Sequence, residues 1–499
     1  MSPFLASLVC VTLIVWLFWV DRDRDIHTSK ALWIPTLWFL INSSRPGSMW
    51  LSMIGLNLGP DTATADVYTE GSPVDRAIFT ALVIIGIIIL VSRRRATGSL
   101  LVKNFPIALY FGFAAISMVW SDFPFVTFKH WIKGIGDVEM IMIIVTDPDA
   151  WGATIQVLSR MAYLLVPLSV LYCKYYPSIG RLMTKSWMNT FVGVTTQKNT
   201  LGWLCLLLGL AFLWRFRNAY RNRELPRRKG RLWAYAIILV LIVWLLRTSD
   251  SMTSFSSLIL ASIAMLCAGN AKILRMHPAI HVIVGGIVLV PIIALFFDPT
   301  GGMVGSIGRN PTLTGRTLIW TAVQRMPVSH LVGAGYESFW IGDRLEQLQA
   351  IIGFDVNEAH NGYLEMYLNL GWIGVGLLAL MIVTGYQKVI AAVRANPATG
   401  PMYLAWFIAG LLASLTEAGF RMLSLPWIFF LFAMIAASAT HEPDPVVSTT
   451  GNLRKEIAGT RLQSERRAGS KPGGGKPRPV GHPTKTALGS IMNRQVLLT

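Results

Sequence analysis

Charged residues are scarce in this chain. Only 14% of its 499 residues are Asp, Glu, Lys or Arg, and 53% are hydrophobic, whereas ordinary soluble domains carry about 25% charged residues. The mean hydropathy of +0.51 is correspondingly high. This composition excludes a cytosolic enzyme and a disordered protein, and it indicates a polytopic membrane protein. Because each bilayer crossing needs about 20 mostly apolar residues, the chain is long enough for many crossings.

Cysteine and the common nucleotide and metal motifs are also scarce. The four cysteines lie in or beside apolar stretches and form neither a CxxC nor a Cys/His spacing, which argues against a disulfide framework or a zinc site. The motifs GxxxxGKS/T and HExxH are absent, so a P-loop and a zinc-protease helix are excluded. Acidic D-x-D matches occur in 21–25 and 147–149. We interpret them as loop charges rather than a metal–nucleotide-sugar site, and we expect no metal and no cofactor.

Long apolar stretches are what the chain has in abundance. They predict an all-α polytopic membrane protein with about 12–13 transmembrane helices and one large loop on the outer side. The stretch 3–20 is expected to be a helix rather than a signal peptide, since no basic segment precedes it and no A-x-A site follows it. The predicted crossings are 3–20, 31–42, 76–92, 104–120, 131–146, 152–172, 199–214, 232–247, 255–270, 280–297, 362–385, 402–416 and 424–440.

The distribution of cations predicts the orientation of these crossings. The connector 215–231 holds eight Arg or Lys against one Glu, so it is expected to be cytoplasmic. By parity the N-terminus then lies outside and the C-terminus inside. The acid-containing connectors 43–75 and 298–358 fall outside, whereas 173–198 is a cationic exception on that side. Much of the net charge of +18 therefore comes from cations that hold loops on the cytoplasmic side, and we expect no nucleic-acid partner.

Three regions follow from this pattern. Residues 1–190 form the N-terminal transmembrane helices. Residues 191–440 form a second transmembrane region that includes the outer loop 298–361. The tail 441–499 is rich in Gly, Pro, Ser, Lys and Arg, and we expect it to be a disordered basic cytoplasmic segment because it cannot bury a core.

Polar residues cluster where outer loops enter helices. In TTQKNTLG, Lys198 and Asn199 open a predicted helix, whose N-terminus is suited to an anion; the alternative is an interfacial Lys beside an Asn cap. In GRTLIW, Arg316 matches phosphate geometry and Trp320 suits a sugar face or a membrane interface. A membrane anchor is the alternative for that pair.

The segment 357–374, NEAHNGYLEMYLNLGWIG, has the highest density of polar groups. Glu358, His360 and Asn361 lead directly into an apolar helix, and Asn361 shares a helix face with Glu365. Histidine is the usual general base near neutral pH, although a hydrogen-bonded cap residue is the alternative for His360. Polar groups entering a membrane helix are costly, which favours a functional role.

Further charged residues have weaker interpretations. Lys133, with Lys129 and His130, lies at the outer end of a predicted helix and is either a phosphate ligand or an interfacial cation. Two further sets of charged residues are each expected to neutralise their own charges, within the membrane or at its boundary. One set is Asp137 with Glu139 and Arg160, and the other is Glu417 with Arg421.

TTQKNTLG, GRTLIW and HNGYLEMYLNLGWIG, in this order, resemble motifs of the O-antigen ligase and polysaccharide polymerase superfamily of bacterial membranes. The resemblance covers roughly 190–385 in detail. It implies a multi-pass inner-membrane glycosyltransferase with catalytic loops in the periplasm and a cytoplasmic C-terminus. The family is thought to act with inversion, without a metal or a nucleotide sugar. Its donor would be an oligosaccharide carried on undecaprenyl diphosphate.

The resemblance also assigns residues. His360 matches the family's catalytic histidine, read as the base acting on the acceptor hydroxyl, and we place Glu358 with it. We expect other residues to contact the diphosphate and the sugars of the donor. A family cation in the Ser/Thr cluster 248–257 is replaced here by Met252, and Arg247 is the upstream substitute. The substrate-binding residues are Arg316, Lys198, Asn199, Arg247, Lys133, Asn361 and Trp320.

The function predicted from these residues is the joining of lipid-linked oligosaccharide units into exopolysaccharide or O-antigen. A polymerase is favoured over a ligase to the lipid A core. Expected partners are the lipid-linked donor, a glycan or lipid-linked glycan acceptor, membrane lipid, and other polysaccharide assembly and export proteins. Two alternatives are a flippase or transporter of lipid-linked glycans, with Asp137, Glu139 and Arg160 as a central relay, and a non-catalytic assembly subunit.

Overall fold

A computed structural model describes residues 1–23, 27–56, 72–183, 189–296 and 316–439, without the side chains of 189, 277 and 294–296. The predicted tail 441–499 and the loop residues 298–315 lie outside the described residues. The described helices are α1 Pro3–Asp21, α2 Trp33–Asn42, α3 Gly47–Met53, α4 Pro73–Ser92, α5 Arg94–Lys103, α6 Phe105–Ile116, α7 Pro124–Val145, α8 Ala150–Tyr175, α9 Pro177–Gly180, α10 Lys198–Arg221, α11 Arg228–Ser249, α12 Met252–Ala268, α13 Ala271–Arg275, α14 His277–Phe296, α15 Arg316–Gln324, α16 Asp343–Ile352, α17 Gly362–Ala395, α18 Gly400–Thr416 and α19 Leu425–Ala439.

Six of these helices are long and apolar enough to span a membrane: α1, α4, α8, α10, α11 and α17. The helix α5 and the segment Phe105–Val119 make a seventh span if their 87° bend is counted within one crossing. Four shorter apolar helices lie in α12, α14, α18 and α19. The chain is therefore an all-α polytopic membrane protein, as its composition predicts, while the count of 12–13 crossings stays a prediction.

The predicted second crossing, 31–42, is short in the structure. It consists of a 3₁₀ turn, Lys30–Leu32, followed by the ten-residue helix α2. At 1.5 Å per residue such a helix measures about 15 Å, which is half of a hydrocarbon core of about 30 Å. Its side chains Trp38 and Phe39 are buried while Trp33 and Leu37 are exposed, so one face of α2 packs against the bundle.

A small hairpin interrupts the cationic connector 173–198. The strand Arg181–Met183 (β1) pairs antiparallel with Asn189–Phe191 (β2), and the Arg181 guanidinium lies 4.8 Å from the centroid of the Phe191 ring. The apolar stretches did not predict this hairpin, because three-residue strands carry too little pattern to be recognised. Part of the connector's cationic character thus belongs to a structured turn.

The centre of the bundle is formed by α18 and α19, whose residues are almost all buried, and by the buried stretch Leu201–Phe212 of α10. In contrast, α1 and α4 expose large apolar side chains along most of their length. A helix that exposes apolar residues on a membrane protein faces lipid. The buried centre therefore holds the polar ends of α10 and α18 in fixed positions, and the candidate site is built at those ends.

A break in α17 anchors the loop before it. Gly371 has φ 62° and ψ −163°, a conformation that only glycine adopts readily. The carbonyl oxygens of Leu368 and Asn369, freed by the break, accept hydrogen bonds from the backbone N–H groups of Ala334 and Gly335 at 3.0 and 2.9 Å. The segment 334–335 is therefore fixed to α17.

The expected neutralisation among Asp137, Glu139 and Arg160 is wrong. Asp137 accepts hydrogen bonds from the indole of Trp38 at 2.9 Å and the backbone N–H of Leu423 at 2.8 Å. Arg160 donates to the Thr36 hydroxyl at 3.1 Å, and both carboxylate oxygens of Glu139 are buried without a hydrogen-bond partner among the described residues. Asp137 and Arg160 thus contact different residues of α2, Trp38 and Thr36, rather than each other.

Candidate functional site

Glu417 lies at the centre of the candidate site. The helix α18 ends at Thr416, and Glu417 adopts an extended conformation with φ −142° and ψ 160°. Its Oε2 accepts from Asn199 Nδ2 at 2.7 Å, its Oε1 accepts from Arg316 Nη2 at 3.0 Å, and His360 Nδ1 lies 3.3 Å from Oε2. The Glu417 side chain is only 5% exposed. One buried carboxylate thus joins three segments that are far apart in the sequence.

His360 is held by the turn that precedes α17. Asn361 caps the helix, its Oδ1 accepting from the backbone N–H groups of Tyr363 and Leu364, both at 3.0 Å. His360 has φ 49°, in the left-handed region that costs a non-glycine residue roughly 1–2 kcal/mol. This turn directs Nδ1 to Glu358 Oε1 at 2.8 Å. In the described part of the chain Nε2 has no hydrogen-bond partner.

Backbone strain is concentrated around this cluster. Five non-glycine residues have positive φ in the described ranges, and three of them, Glu337, His360 and Leu423, lie in the loops that form the cluster or pack against it. Such conformations persist only where the surrounding structure enforces them, and they are frequent at functional sites. The strain therefore independently marks this region as a candidate site.

Buried hydrogen bonds fix the residue next to His360. Trp320 Nε1 donates to the carbonyl oxygen of Ala359 at 2.8 Å. The backbone N–H of Ala359 donates to Glu365 Oε1 at 2.5 Å, and Trp340 Nε1 donates to Glu365 Oε2 at 2.8 Å. Trp320 therefore contacts the loop of the site, and Glu365 points to Ala359 and Trp340 rather than pairing with Asn361.

The expected local pair between Glu417 and Arg421 is wrong. Because the helix ends at Thr416, the two residues are not one helical turn apart, and Arg421 pairs elsewhere. Its Nε lies 3.2 Å from Glu337 Oε2, and its Nη1 lies 3.6 Å from Glu358 Oε2. Arg421 thereby connects the 330s loop, which is residues 325–342 between α15 and α16, to the segment that carries His360.

The two carboxylates set the protonation of His360. Burial alone lowers the pKa of His360, but hydrogen bonds and charges from Glu358 and Glu417 outweigh burial and raise that pKa to about 9. Burial alone raises the pKa of Glu358, but the hydrogen bond and charge of His360, with the nearby Arg421 and Arg316, bring it below its ordinary value. At neutral pH His360 is therefore mostly an imidazolium, hydrogen-bonded to an ionised Glu358.

The remaining predicted site residues fall into two groups. Lys198 is half-buried at the first position of α10, directly before Asn199, and α10 lacks a side-chain cap at its N-terminus. Lys133 instead lies 5.8 Å from the centroid of the Phe79 ring, and Arg247 is exposed near the end of α11. Neither Lys133 nor Arg247 contacts the Glu417 cluster among the described residues, and their predicted roles stay predictions.

The Ser/Thr segment after Arg247 does approach the site. Thr253 Oγ1 lies 2.7 Å from Thr416 Oγ1, one residue before Glu417. A Cβ added to Gly202, near the start of α10, would lie 2.5 Å from Ser251 Oγ and 2.6 Å from Ser254 Oγ. The glycine in TTQKNTLG therefore permits close contact between α10 and the start of α12.

Three side chains have the chemistry of metal ligands. One ligand atom each from Glu358, His360 and Glu417 lies within 4.8 Å of the others. However, guanidinium groups already face both carboxylates, Arg316 at Glu417 and Arg421 at Glu358. The charges within the described cluster are balanced by these cations and the imidazolium, so the donor set does not call for a divalent ion.

Sequence reasoning did not place Glu417, Arg421 or Glu337 in the site. All three lie in short polar segments beside apolar helices, TEAGFR at 416–421 and VGAGYESFW at 332–340. A short polar segment beside an apolar helix was also the pattern that indicated the residues around His360. That pattern could have indicated Glu417, Arg421 and Glu337 as well. Their distance along the chain concealed the contact.

No family model matches the chain, but comparison with known proteins finds relatives. The exopolysaccharide production protein ExoQ of Rhizobium meliloti is 28% identical over 289 residues, 55% of this chain and 62% of that protein. Candidate polysaccharide ligases of Rickettsia prowazekii and Rickettsia typhi are each 23% identical over 227 residues, 42% of this chain and 53% of the relative. The chain thus matches less than two thirds of each relative's length. These similarities confirm the resemblance to the O-antigen ligase and polysaccharide polymerase superfamily.

Proposed function

We propose that this multi-pass membrane protein is an inverting glycosyltransferase that joins undecaprenyl-diphosphate-linked oligosaccharide units into exopolysaccharide or O-antigen. The observation that carries the proposal is the convergence of His360, Arg316 and Asn199 on Glu417. The names of the relatives, exopolysaccharide production protein and polysaccharide ligase, support the same class of reaction.

The chemistry requires a base and fixed cations. The acceptor hydroxyl oxygen attacks the anomeric carbon as its proton passes to His360 Nε2, and the bond between that carbon and the diphosphate oxygen breaks. The leaving undecaprenyl diphosphate takes the electron pair, and its charge is stabilised by preorganised cations. Arg316 and Lys198 are the cations assigned to this task, with Asn199 and Asn361 beside them. Attack from the opposite face inverts the anomeric centre.

Glu358 is a positioning residue in this mechanism. By accepting from Nδ1 at 2.8 Å, it stabilises the tautomer in which Nε2 carries the lone pair, the arrangement used by other histidine bases. Glu417 orients Arg316 and Asn199 at the same time. Trp320 supports the loop through Ala359, so its predicted sugar contact is secondary to this structural role.

The membrane setting fits a polyprenyl-linked donor. The cluster forms at the ends of α10 and α18, where a diphosphate at the interface is reachable while its lipid tail stays in the bilayer. We propose the inner membrane, a periplasmic site and a cytoplasmic C-terminus, since the basic connector 215–231 follows the opposite end of α10. Other polysaccharide assembly and export proteins are the proposed partners.

Reconstitution tests the proposal directly. Purified full-length protein in liposomes is given a defined lipid-linked repeat, and elongation and released undecaprenyl diphosphate are measured. A general base contributes about 10²–10⁴-fold, so His360→Ala is expected to lose at least about 100-fold. His281→Ala is the control, because His281 is an exposed histidine that contacts Tyr386 rather than the cluster.

The acceptor decides between polymerase and ligase. Elongation of the lipid-linked repeat supports the polymerase, which we favour, whereas transfer only to an added lipid A core supports a ligase. Unchanged output from His360→Ala at equal protein level contradicts the base role. Absence of transfer to both acceptors by the wild-type protein favours a non-catalytic assembly subunit. The transporter alternative loses its proposed relay, since Asp137, Glu139 and Arg160 do not contact one another.

A further inference from the structure

A second polar site lies at the other end of the helix bundle. A cavity of about 1030 Å³ opens between α1, α8, α10 and α11. The helix α10 starts beside Glu417, through Asn199, and reaches this cavity with Arg215. These positions are 16 residues apart, about 24 Å along a helix. The cavity is therefore separate from the candidate glycosyltransferase site.

The floor of the cavity is a closed hydrogen-bond network. Arg215 Nη2 contacts both oxygens of Asp21, at 2.9 and 2.8 Å, and the hydroxyl of Tyr235 at 2.8 Å. Tyr163 donates to Asp21 Oδ2 at 2.9 Å. Because these groups satisfy one another's hydrogen-bonding capacity, the network is structural. A ligand in the cavity would therefore bind to residues of the wall.

Two arginines in the cavity wall, Arg160 and Arg231, keep N–H groups that no described residue accepts. The Arg160 guanidinium lies 4.0 Å from the centroid of the Trp33 ring, and its hydrogen bond to Thr36 at 3.1 Å uses one of five donors. Arg160 makes no ion pair among the described residues. Arg231 is 6% exposed and pairs with Asp23 through Nη2 at 3.1 Å, but its Nε is buried without a partner. The Arg160 guanidinium therefore has donors left for a ligand, whereas the Arg231 Nε is enclosed by protein.

The charge of the cavity favours an anion. Its lining includes five arginines and three aspartates, and two of the arginines, Arg215 and Arg231, are paired with aspartates. A third aspartate, Asp149, accepts from the backbone of Gly152 as the cap of α8. The guanidinium group matches phosphate oxygens through paired hydrogen bonds. The arginines of the lining that have no ion pair with a described residue thus point to a phosphate group.

The mouth of the cavity is apolar and exposed. Trp33 is 53% exposed and Phe18, on the membrane-spanning candidate α1, is 36% exposed. Indole rings are enriched at the membrane–water boundary. A soluble anion needs no apolar rim, whereas a lipid needs a polar pocket for its headgroup and an apolar exit for its chains.

We propose that this cavity binds the phosphate headgroup of an anionic membrane lipid at the end of the bundle opposite to the Glu417 cluster. Arg160 contacts the phosphate while its planar group stays stacked on Trp33. The acyl chains leave past Phe18 and Trp33. The volume is at the upper end of the range of about 300–1,000 Å³ for ligand sites, which is enough for a glycerol phosphate headgroup. This proposal does not depend on the glycosyltransferase activity.

Lipid binding to the purified full-length protein tests the proposal. Native mass spectrometry in detergent measures retention of added phosphatidylglycerol against phosphatidylcholine, and the wild-type protein is expected to retain phosphatidylglycerol preferentially. Arg160→Gln is expected to weaken that binding about tenfold, since a hydrogen bond to a charged group is worth about 1.5–3 kcal/mol. Arg223→Gln is the matched control, because it removes the same charge from an exposed arginine of the basic connector 215–231 that does not line the cavity.

Several results of the lipid-retention measurement would overturn the proposed lipid site. Equal retention of both lipids, or an Arg160→Gln variant that binds like the wild type, overturns the proposal. Displacement of phosphatidylglycerol by inorganic phosphate at equal concentration assigns the cavity to a soluble anion and also overturns it. If Arg160→Gln does not fold, Arg160→Lys is used. This variant keeps the charge but loses bidentate contact, and an unchanged affinity then counts against the proposal.

Discussion

Glu417 accepts hydrogen bonds from a helix start, a loop arginine and a histidine, so its removal should affect all three at once. In Glu417→Gln, Arg316 and His360 lose a charged partner in a site where the carboxylate is only 5% exposed. Losing a hydrogen bond to a charged group costs about 1.5–3 kcal/mol, which corresponds to roughly 10- to 100-fold. We expect transfer in the reconstituted assay to fall by that factor.

The control for this prediction is Glu346→Gln. Glu346 is an exposed acid on α16 without a contact to the cluster, and its substitution changes the net charge by the same amount. Equal loss of transfer in both variants would show that charge alone, rather than the position of Glu417, matters. Thermal unfolding of both variants separates a loss of transfer from a loss of folded protein.

The protonation of His360 predicts a pH dependence. Its pKa is raised to about 9, so the neutral base form is the minor form at neutral pH and grows about tenfold per pH unit below that value. We expect kcat/KM for transfer to rise between about pH 7 and pH 9. In Glu358→Gln the largest group that raises the pKa is neutral, so the rising limb should move to lower pH.

A falling rate over the same interval would contradict this assignment. It would show that the imidazolium acts as a cation on the diphosphate rather than as the base. An unmoved limb in Glu358→Gln would remove Glu358 from its positioning role. The contribution of the His360–Glu358 interaction to folding stability has the opposite pH dependence to the rate. Since the pKa of His360 in the folded protein exceeds the unfolded value of about 6.5, that contribution is present at low pH and is lost as pH approaches about 9.

The site could be predicted from the sequence only in part. Polar groups that enter apolar helices pointed to Asn199, Arg316, Glu358 and His360 because such groups are costly in a membrane. The pairing at Glu417 could not be predicted, since the end of a helix at Thr416 is a tertiary effect that a helical i,i+4 pattern does not contain. Arg247 and Lys133 do not contact the Glu417 cluster among the described residues, since a cation near a helix end need not face the site, and their roles stay predictions.

At the scale of elements, the break in α17 positions the 330s loop. A Cβ at Gly371 would lie 2.3 Å from the carbonyl carbon and oxygen of Leu331, and φ is 62°. Gly371→Ala should therefore lower the melting temperature, because strained backbone of this kind costs about 1–3 kcal/mol. Transfer should also fall, since the loop carries Glu337, the partner of Arg421.

Gly376→Ala is the matched control on the same helix. A Cβ there would meet nothing within 4 Å, and alanine is favoured over glycine in a helix by about 1 kcal/mol. This variant should keep or raise the melting temperature. A Gly371→Ala variant as stable as Gly376→Ala would contradict the anchoring of the loop by the break.

Apolar periodicity was sufficient to predict helices but not their tertiary use. The stretch 31–42 is apolar enough to suggest a crossing, yet it forms a short helix with one face packed against the bundle, because burial against other helices satisfies apolar side chains as well as lipid does. The hairpin formed by β1 and β2 and the break at Gly371 depend on backbone contacts between distant segments. No local pattern reports such contacts.

At the scale of the whole molecule, the two ends of the bundle differ in charge and chemistry. The Glu417 cluster lies at one end of α10. The other end continues into the basic connector 215–231. With 24 residues, α10 measures about 36 Å and can cross a hydrocarbon core of about 30 Å. The two sites should therefore face opposite sides of the membrane.

Cysteine labelling tests this arrangement. A membrane-impermeant maleimide should label Glu346→Cys, in the outer loop region, in intact spheroplasts. It should label Arg223→Cys, in the basic connector, only after permeabilisation. The background is the wild-type protein, in which Cys10, Cys173 and Cys205 are buried and Cys267 is half-buried. Labelling of both variants from the same side would contradict the placement of the two sites on opposite sides of the membrane. Labelling of Glu346→Cys only after permeabilisation would contradict a periplasmic glycosyltransferase, because a lipid-linked donor reaches only a site exposed on its own side.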